Sequence, residues 1–260
     1  MGAADTQGDL WGQAVEDWAS IQEPLGRPLW EAMLDEARVG SGTHVLDAGC
    51  GGGGASVLAT ERGAQVSGID AAEEMIAFAS ERLPGGDFQV GDIEHLPHED
   101  DAFDVVFAAN SVQYPADRVA TLRGFGRVCR PDGRIVAGLF GPPDKVEYCA
   151  IFGAVRDALP EPPPGAGPFE LSMPGVLASL FEEAGLKVVM SGEVDCPFRY
   201  PDFETFWRAN ASAGPLQGAM RVAGEERIRT AIREAVEPFL MRDGGIEIQP
   251  NVYTYLVATL

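Results

Sequence analysis

The stretch His44 to Ser56 reads H-V-L-D-A-G-C-G-G-G-G-A-S: an apolar run, a carboxylate, a glycine cluster and the start of a helix. Glycines at Gly49 and Gly51 allow a sharp turn and let a ligand approach without a Cβ in the way, and the following helix offers unpaired N–H groups. A bound cofactor is the natural use of such a loop. Gly49, Gly51 and Gly54 also satisfy G-x-G-x-x-G, so the glycines alone admit a dinucleotide. Asp47 argues against it: a carboxylate two positions before the first glycine points to where a pyrophosphate would lie and repels it, but suits a ligand ending in an ammonium group.

Asp70 closes the second apolar run, about 20 residues past the glycines, where a carboxylate accepts both hydroxyls of a ribose. Ribose plus ammonium describes S-adenosylmethionine better than NAD. No Tyr is followed four positions later by Lys, and the only lysines are Lys145 and Lys187, so the usual apparatus of short-chain hydride transfer is missing. The catalytic residue stays open: Gln113 and Tyr114, past the fourth strand, would orient an acceptor rather than deprotonate it. Phe140, Tyr148, Phe152 and Phe169 form one aromatic group, and Phe198, Tyr200, Phe203, Phe206 and Trp207 another. Together they are expected to roof an apolar acceptor pocket, although any single ring equally fits a packing role. The expected acceptor contacts are Trp11, Gln113, Tyr114, Phe140, Tyr148, Phe206 and Trp207. Trp11 and Trp18 read as core-facing, with Trp11 the one that could cover the cofactor. Cys50 reads as a small filler, His44 as a buried strand residue, and His95 and His98 as solvated.

The elements that must hold these residues alternate. Short strands are expected at Thr43–Asp47, Gln65–Asp70, Asp87–Gly91, Phe103–Ala109 and Arg134–Phe140, with helices at Gly54–Arg62, Ala72–Leu83 and Asp117–Cys129. Such alternation builds crossover units on a parallel sheet with helices on both faces. Residues 1–40 read as a helical cap, broken at Pro24 and Pro28 into two helices. Residues 141–174 and 197–245 read as lid insertions. The first encloses a helix at Tyr148–Leu159, and the second carries helices at Phe203–Ala211 and Glu225–Leu240. Helix and strand signals resume between them at Val176–Ala184 and Lys187–Val194. Val252–Leu260 alternates like a final strand, and one domain spans 1–260.

Composition excludes several partners. Lys plus Arg number 19 against 40 Asp plus Glu, a net charge of −21, and so acidic a surface repels nucleic acid and anionic membranes. Cys50, Cys129, Cys149 and Cys196 form no C-x-x-C pair, so neither a zinc site nor a disulfide framework is expected. No cleavable leader or long apolar run is evident, and the expectation is a cytoplasmic monomer or homodimer acting on a small molecule.

Five motifs in order then carry a resemblance: V-L-D-A-G-C-G-G-G (Val45 to Gly53), G-I-D-A-A-E-E-M (Gly68 to Met75), G-D-I-E-H-L-P (Gly91 to Pro97), F-D-V-V-F-A-A-N-S-V-Q-Y (Phe103 to Tyr114) and R-V-C-R-P-D-G-R-I-V (Arg127 to Val136). The chain resembles class I S-adenosylmethionine-dependent methyltransferases, in the small-molecule branch that includes quinone C-methyltransferases and malonyl carrier-protein O-methyltransferases. The resemblance implies a Rossmann-like α/β fold, a seven-stranded mostly parallel sheet with its last strand antiparallel. It implies that Asp47, Ala48, Gly49, Cys50 and Gly51 border the methionine end of the cofactor, Asp70, Ala71 and Met75 its ribose and adenosine, Asp92 and Ile93 its adenine, and Asn110 the reactive methyl. S-adenosylhomocysteine would be the product. Enzymes resembling this family that catalyse a cyclisation or another non-methyl reaction, and a non-catalytic sensor of the cofactor, would carry the same motifs.

Overall fold

The computed structural model describes residues 2–162 and 167–260. Pro163 and Pro164 of the expected proline-rich insertion lie outside the described residues.

The central strands are β1 (His44–Ala48), β2 (Gln65–Asp70), β3 (Asp87–Val90), β4 (Phe103–Ala109), β5 (Cys129–Phe140), β6 (Lys187–Asp195) and β9 (Val252–Thr259). They form one seven-stranded sheet in the order β3-β2-β1-β4-β5-β9-β6. All neighbouring pairs are parallel except those of β9, which runs antiparallel to β5 and β6. Between β1 and β4 the winding direction reverses, and at such a point the loops leaving the carboxyl ends part and open a crevice.

Side-chain alternation puts the strands' apolar residues into two cores. Val45, Val105, Phe107, Val136 and Val257 face one, whereas Leu46, Ala48, Val106, Ala108, Ile135, Ala137 and Leu256 face the other. The first core is covered by α3 (Arg27–Glu36) and α4 (Gly54–Glu61), through Leu29, Met33, Leu34, Leu58 and Ala59. α6 (Arg118–Val128) and α8 (Val176–Glu183) cover the second through Leu122, Phe125, Leu177 and Phe181. Asp117 accepts the Ala120 N–H at 2.8 Å and so caps α6 rather than opening it. α5 (Glu73–Arg82) begins one turn after β2 with Glu73 and Glu74 at its positive end.

The cap is more broken than two helices. α1 (Ala3–Trp11) is followed by a 3-10 turn at Gly12–Ala14, the single turn α2 (Val15–Asp17), a π turn at Trp18–Gln22 and a second 3-10 turn at Glu23–Gly26, before α3. Pro28 does not break α3; it lies in the first turn, where its missing N–H leaves no bond unmade.

α7 (Cys149–Ala158) belongs to the first insertion. The second carries β7 (Phe198–Tyr200), α9 (Phe203–Ala211), α10 (Gly214–Ala223), α11 (Glu225–Val236) and β8 (Ile246–Ile248), with β7 and β8 paired antiparallel. α11 stops at Val236 because Pro238 turns the chain into the 3-10 segment Glu237–Phe239. Neither the β7–β8 ribbon nor α10 is expected from the sequence. α10 packs on α1, and the approach is close: a Cβ on Gly214 would lie 2.6 Å from Trp11 Nε1. An Arg221–Asp9 ion pair adds to this contact at the surface, and an Arg208–Asp17 pair ties α9 to α2 of the cap. Cap and second insertion thus meet over the carboxyl ends of the sheet. Among the described residues no helix is long and apolar enough to cross a membrane, and no metal-binding group occurs.

Candidate active site

The glycine loop leaves β1 at Asp47, a carboxylate only 3% exposed. Ser56 Oγ, from the first turn of α4, donates to its Oδ2 at 2.6 Å. Gly49 has φ +81°, and a Cβ there would fall 2.5 Å from that of Ser111, so the loop crosses the exit of β4 at a distance only glycine permits. The Gly51 N–H donates to Asp70 Oδ2 and the Ala72 N–H to Asp70 Oδ1, each at 2.9 Å, and so Asp70 is aimed by backbone on both sides. At the end of β3, Asp92 accepts the Glu94 N–H at 2.9 Å and lies 3.2 Å from His95 Nδ1.

Sequence reasoning overlooked Glu23. This cap residue is 7% exposed, and its carboxylate lies against Gly52 and Gly54 at the N-terminus of α4. Arg82, at the end of α5, pairs with it at 2.6 Å and also donates to the carbonyls of Gly52 and Ala19. The anion slot of the glycine loop, which would cradle a phosphate in a dinucleotide fold, is therefore filled by the protein's own carboxylate.

These residues open on one cavity of about 230 Å³. Asp47, Gly49, Cys50, Gly51 and Asp70 line it, as do Ala71, Met75, Asp92, Ile93 and Asn110. Ala48 does not: its methyl belongs to the opposite core, and only its carbonyl takes part, accepting the Ser111 hydroxyl at 2.6 Å. Trp11, Gln113, Tyr114, Phe140 and Tyr148 lie on the wall. Phe206 and Trp207 do not, and the expected acceptor contacts are corrected there. Both are buried in α9 on its inner face, Phe206 with its ring 5.0 Å from that of Tyr200 and Trp207 beneath the guanidinium of Arg229. The same correction applies to the aromatic roof at Phe169, Tyr200 and Phe203, which are absent from the wall. Trp18, read as a core residue, instead faces the cavity, its ring 4.6 Å from that of Trp11. Phe152 and Phe198, two of the expected roof rings, lie on the wall, and Trp30 and Tyr253 are further wall residues that the acceptor reading did not single out.

The wall has two characters. Near the glycine loop it is acidic, and burial dominates the electrostatics. It pushes Asp47 up to about 7, against the lowering hydrogen bond from Ser56 and helped by the charges of Glu23 and Asp70. Asp70 and Glu23 are also raised by burial, against the hydrogen bonds they accept, and burial likewise holds the Cys50 thiol protonated. At the other end the wall is aromatic. Phe140 and Tyr253, paired across β5 and β9, stack at 4.5 Å, with Phe152 and Phe198 rings 5.6 and 6.4 Å from Phe140. The Tyr148 hydroxyl donates to the side chain of buried Asn210. Burial raises the phenols of Tyr114, to about 12, and of Tyr148 and Tyr253, so none is a base near neutral pH. His95 and His98 lie off the wall, and His98 packs edge-on against Phe103.

Asp47 is a buried carboxylate whose hydrogen bond comes from a neutral hydroxyl, and Asn110 Oδ1 is buried without a partner. Both call for a donor or a cation from a ligand. A nucleoside carrying an ammonium tail would answer the first, with Asp47 for the ammonium, Asp70 for the ribose and Asp92 for the base, whereas a pyrophosphate would meet Glu23.

Comparison with known proteins agrees. The family model described as a methyltransferase domain matches residues 46–137. The chain is 31% identical over 150 residues to 27-O-demethylrifamycin SV methyltransferase of Amycolatopsis mediterranei, covering 53% of this chain and 55% of that one. It is 38% identical over 112 residues to the malonyl-[acyl-carrier protein] O-methyltransferase of Serratia marcescens, covering 43% and 44%. The chain spans about half the length of the curated relatives it matches. The solved structure of the [4+2]-cyclase SpnF shares the fold, with a TM-score of 0.60 at 17% identity over 89% of this chain and 80% of that one. The matched segment, residues 46–137, contains the carboxyl ends of β1 to β4, which border the acidic half of the cavity, and over that segment the chain is similar to methyltransferase domains.

Proposed function

We propose that this chain transfers a methyl group to a small, apolar acceptor seated in the aromatic half of the cavity. One observation carries the reading: the acidic end and the ring-lined end are parts of a single cavity. When bound, the cofactor would supply an electrophilic methyl carbon, the acceptor atom taking it as the S–C bond breaks with its electron pair left on sulfur, and any proton the acceptor lost would leave to bulk solvent. The protein's own share is positioning and dryness. Asp47, Asp70 and Asp92 fix one partner, Phe140, Tyr148, Phe152 and Phe198 the other, and Trp11 and Trp18 of the cap keep water from the space between. Alignment of this kind supplies several kcal/mol, roughly 7 to 11 at best, with no dedicated base. The relative named for 27-O-demethylrifamycin SV supports a small-molecule acceptor.

Incubation with methyl-labelled S-adenosylmethionine and an extract of candidate acceptors tests the reading. A product heavier by one methylene, formed in step with S-adenosylhomocysteine, is expected. A second reading, a cyclisation in the same cavity, draws on the shared fold of SpnF and on the absence of a neutral-pH base in the aromatic half. It predicts a product of unchanged mass and no S-adenosylhomocysteine.

A further inference from the structure

The charge of the cavity narrows the acceptor further, on the reading that the aromatic half receives it. Five carboxylates lie on the wall, Glu23, Asp47, Asp70, Asp92 and Glu94, and among the described residues the lining contains no lysine, arginine or histidine. Arg82 is engaged by Glu23 and two carbonyls behind the glycine loop, and Arg118, which donates to the Gln113 carbonyl at 3.2 Å from outside the lining, is paired with Glu170 at 3.3 Å. Glu94 is fixed in place by the backbone N–H groups of Ala116 and Asp117 at 2.9 and 3.1 Å. The cofactor's ammonium and sulfonium offset part of this charge and its carboxylate adds to it, so an acceptor bringing its own negative charge would lose its water and find no protein cation.

The polar groups nearest the acceptor side point the same way. Gln113 Nε2 donates to the Asn110 carbonyl at 3.0 Å, which fixes the amide and leaves Gln113 Oε1 buried with no partner. Asn110, held at φ +53°, has its Oδ1 buried and unpartnered as well. Two unsatisfied buried oxygens want a donor. A carboxylate or phosphate offers only further acceptors.

We propose that the acceptor is an uncharged molecule presenting an O–H or N–H group to the corner formed by Asn110 and Gln113, and that the cavity rejects free carboxylates and phosphates. Specificity of this type comes as much from what the site cannot satisfy as from what it binds.

The test uses the full chain saturated with S-adenosylhomocysteine and a matched set of probes: 1-naphthol, 1-naphthylamine, 1-naphthoate, 1-naphthyl phosphate and 1-methylnaphthalene, titrated by calorimetry. The naphthol and the amine are expected to bind at least about tenfold tighter than either anion. Gln113→Leu keeps the volume and removes the acceptor oxygen. It should weaken naphthol roughly fivefold or more while leaving methylnaphthalene unchanged, a split that general damage to the pocket would not give. The proposal is overturned if either anion binds as tightly as the naphthol, if no neutral probe binds, or if Gln113→Leu affects naphthol and methylnaphthalene alike. Naphthol binding in the expected order, without methylation when S-adenosylmethionine replaces the product, would support this recognition and count against methyl transfer. Failure of S-adenosylhomocysteine to bind would remove the methyltransferase reading and this proposal together.

Discussion

Replacing Asp47 by Asn should stabilise the ligand-free protein while weakening its cofactor, and the two effects have one cause. Burial lifts the Asp47 carboxyl from its ordinary 3.8 to about 7, a difference that amounts to about 4 kcal/mol once the group is fully ionised in the folded state. The folded pKa of an acid is raised here, so the folded chain holds the proton more tightly than the unfolded chain. Stability contributed by Asp47 is complete below pH 4, falls as pH rises from about 4 to 7, and is at its lowest above 7. Asn has no proton to lose and can still accept from the Ser56 hydroxyl. Urea denaturation of both proteins at pH 5.5 and pH 8 should therefore show the advantage of Asp47→Asn widening by about 2 kcal/mol over that interval. The cofactor reverses the sign, since its ammonium needs the ionised carboxylate. S-adenosylhomocysteine should bind Asp47→Asn roughly tenfold to a hundredfold more weakly at pH 8, and wild-type affinity should rise through pH 7. Parallel stability curves for the two proteins across this range would refute the placement of Asp47 as a buried carboxylate awaiting a cation.

Asp70→Ala removes the carboxylate that Gly51 and Ala72 aim at the ribose, and should weaken S-adenosylhomocysteine by roughly tenfold to several hundredfold in calorimetry, with little change for a ligand lacking ribose. Arg82→Met leaves Glu23 buried without its cation and should destabilise the chain by about 3–5 kcal/mol in urea at pH 8, with recovery in the double variant Arg82→Met, Glu23→Gln. Phe206→Ala should lower stability by about 3–5 kcal/mol through the cavity it leaves in the lid core, yet leave S-adenosylhomocysteine affinity within about twofold, because the ring is not on the cavity wall.

The acidic half of the site was legible because its chemistry is local. Asp47, the glycine turn and the first turn of α4 fall within a few residues, and Asp70 closes a strand whose apolar run is unmistakable. The parallel sheet followed from the same alternation. Glu23 was not legible, because its partner Arg82 lies 59 residues away and nothing in the cap's spacing marks one carboxylate as buried. β7 and β8, three residues each, are too short to show a period of two, and the Gly214–Pro215 start of α10 reads as a turn although Pro suits a first helical turn. Ala48 was misassigned because adjacent strand residues face opposite sides of the sheet: Asp47 looks to the cavity, so its neighbour cannot. Which aromatic rings reach the wall depends on how each helix is rotated. Phe198 and Tyr253 stand beside Phe140 on the sheet ends, whereas Phe206 and Trp207 turn toward α11 and Tyr200, and composition cannot separate the two sets.

Calorimetric titration of the full chain with S-adenosylhomocysteine and, separately, with NAD tests the central claim most directly. The carboxylates Asp47, Asp70 and Asp92, with Glu23 filling the anion slot of the glycine loop, predict S-adenosylhomocysteine binding at least about a hundredfold tighter than NAD, near 2.7 kcal/mol. NAD binding as tightly as S-adenosylhomocysteine would contradict the account.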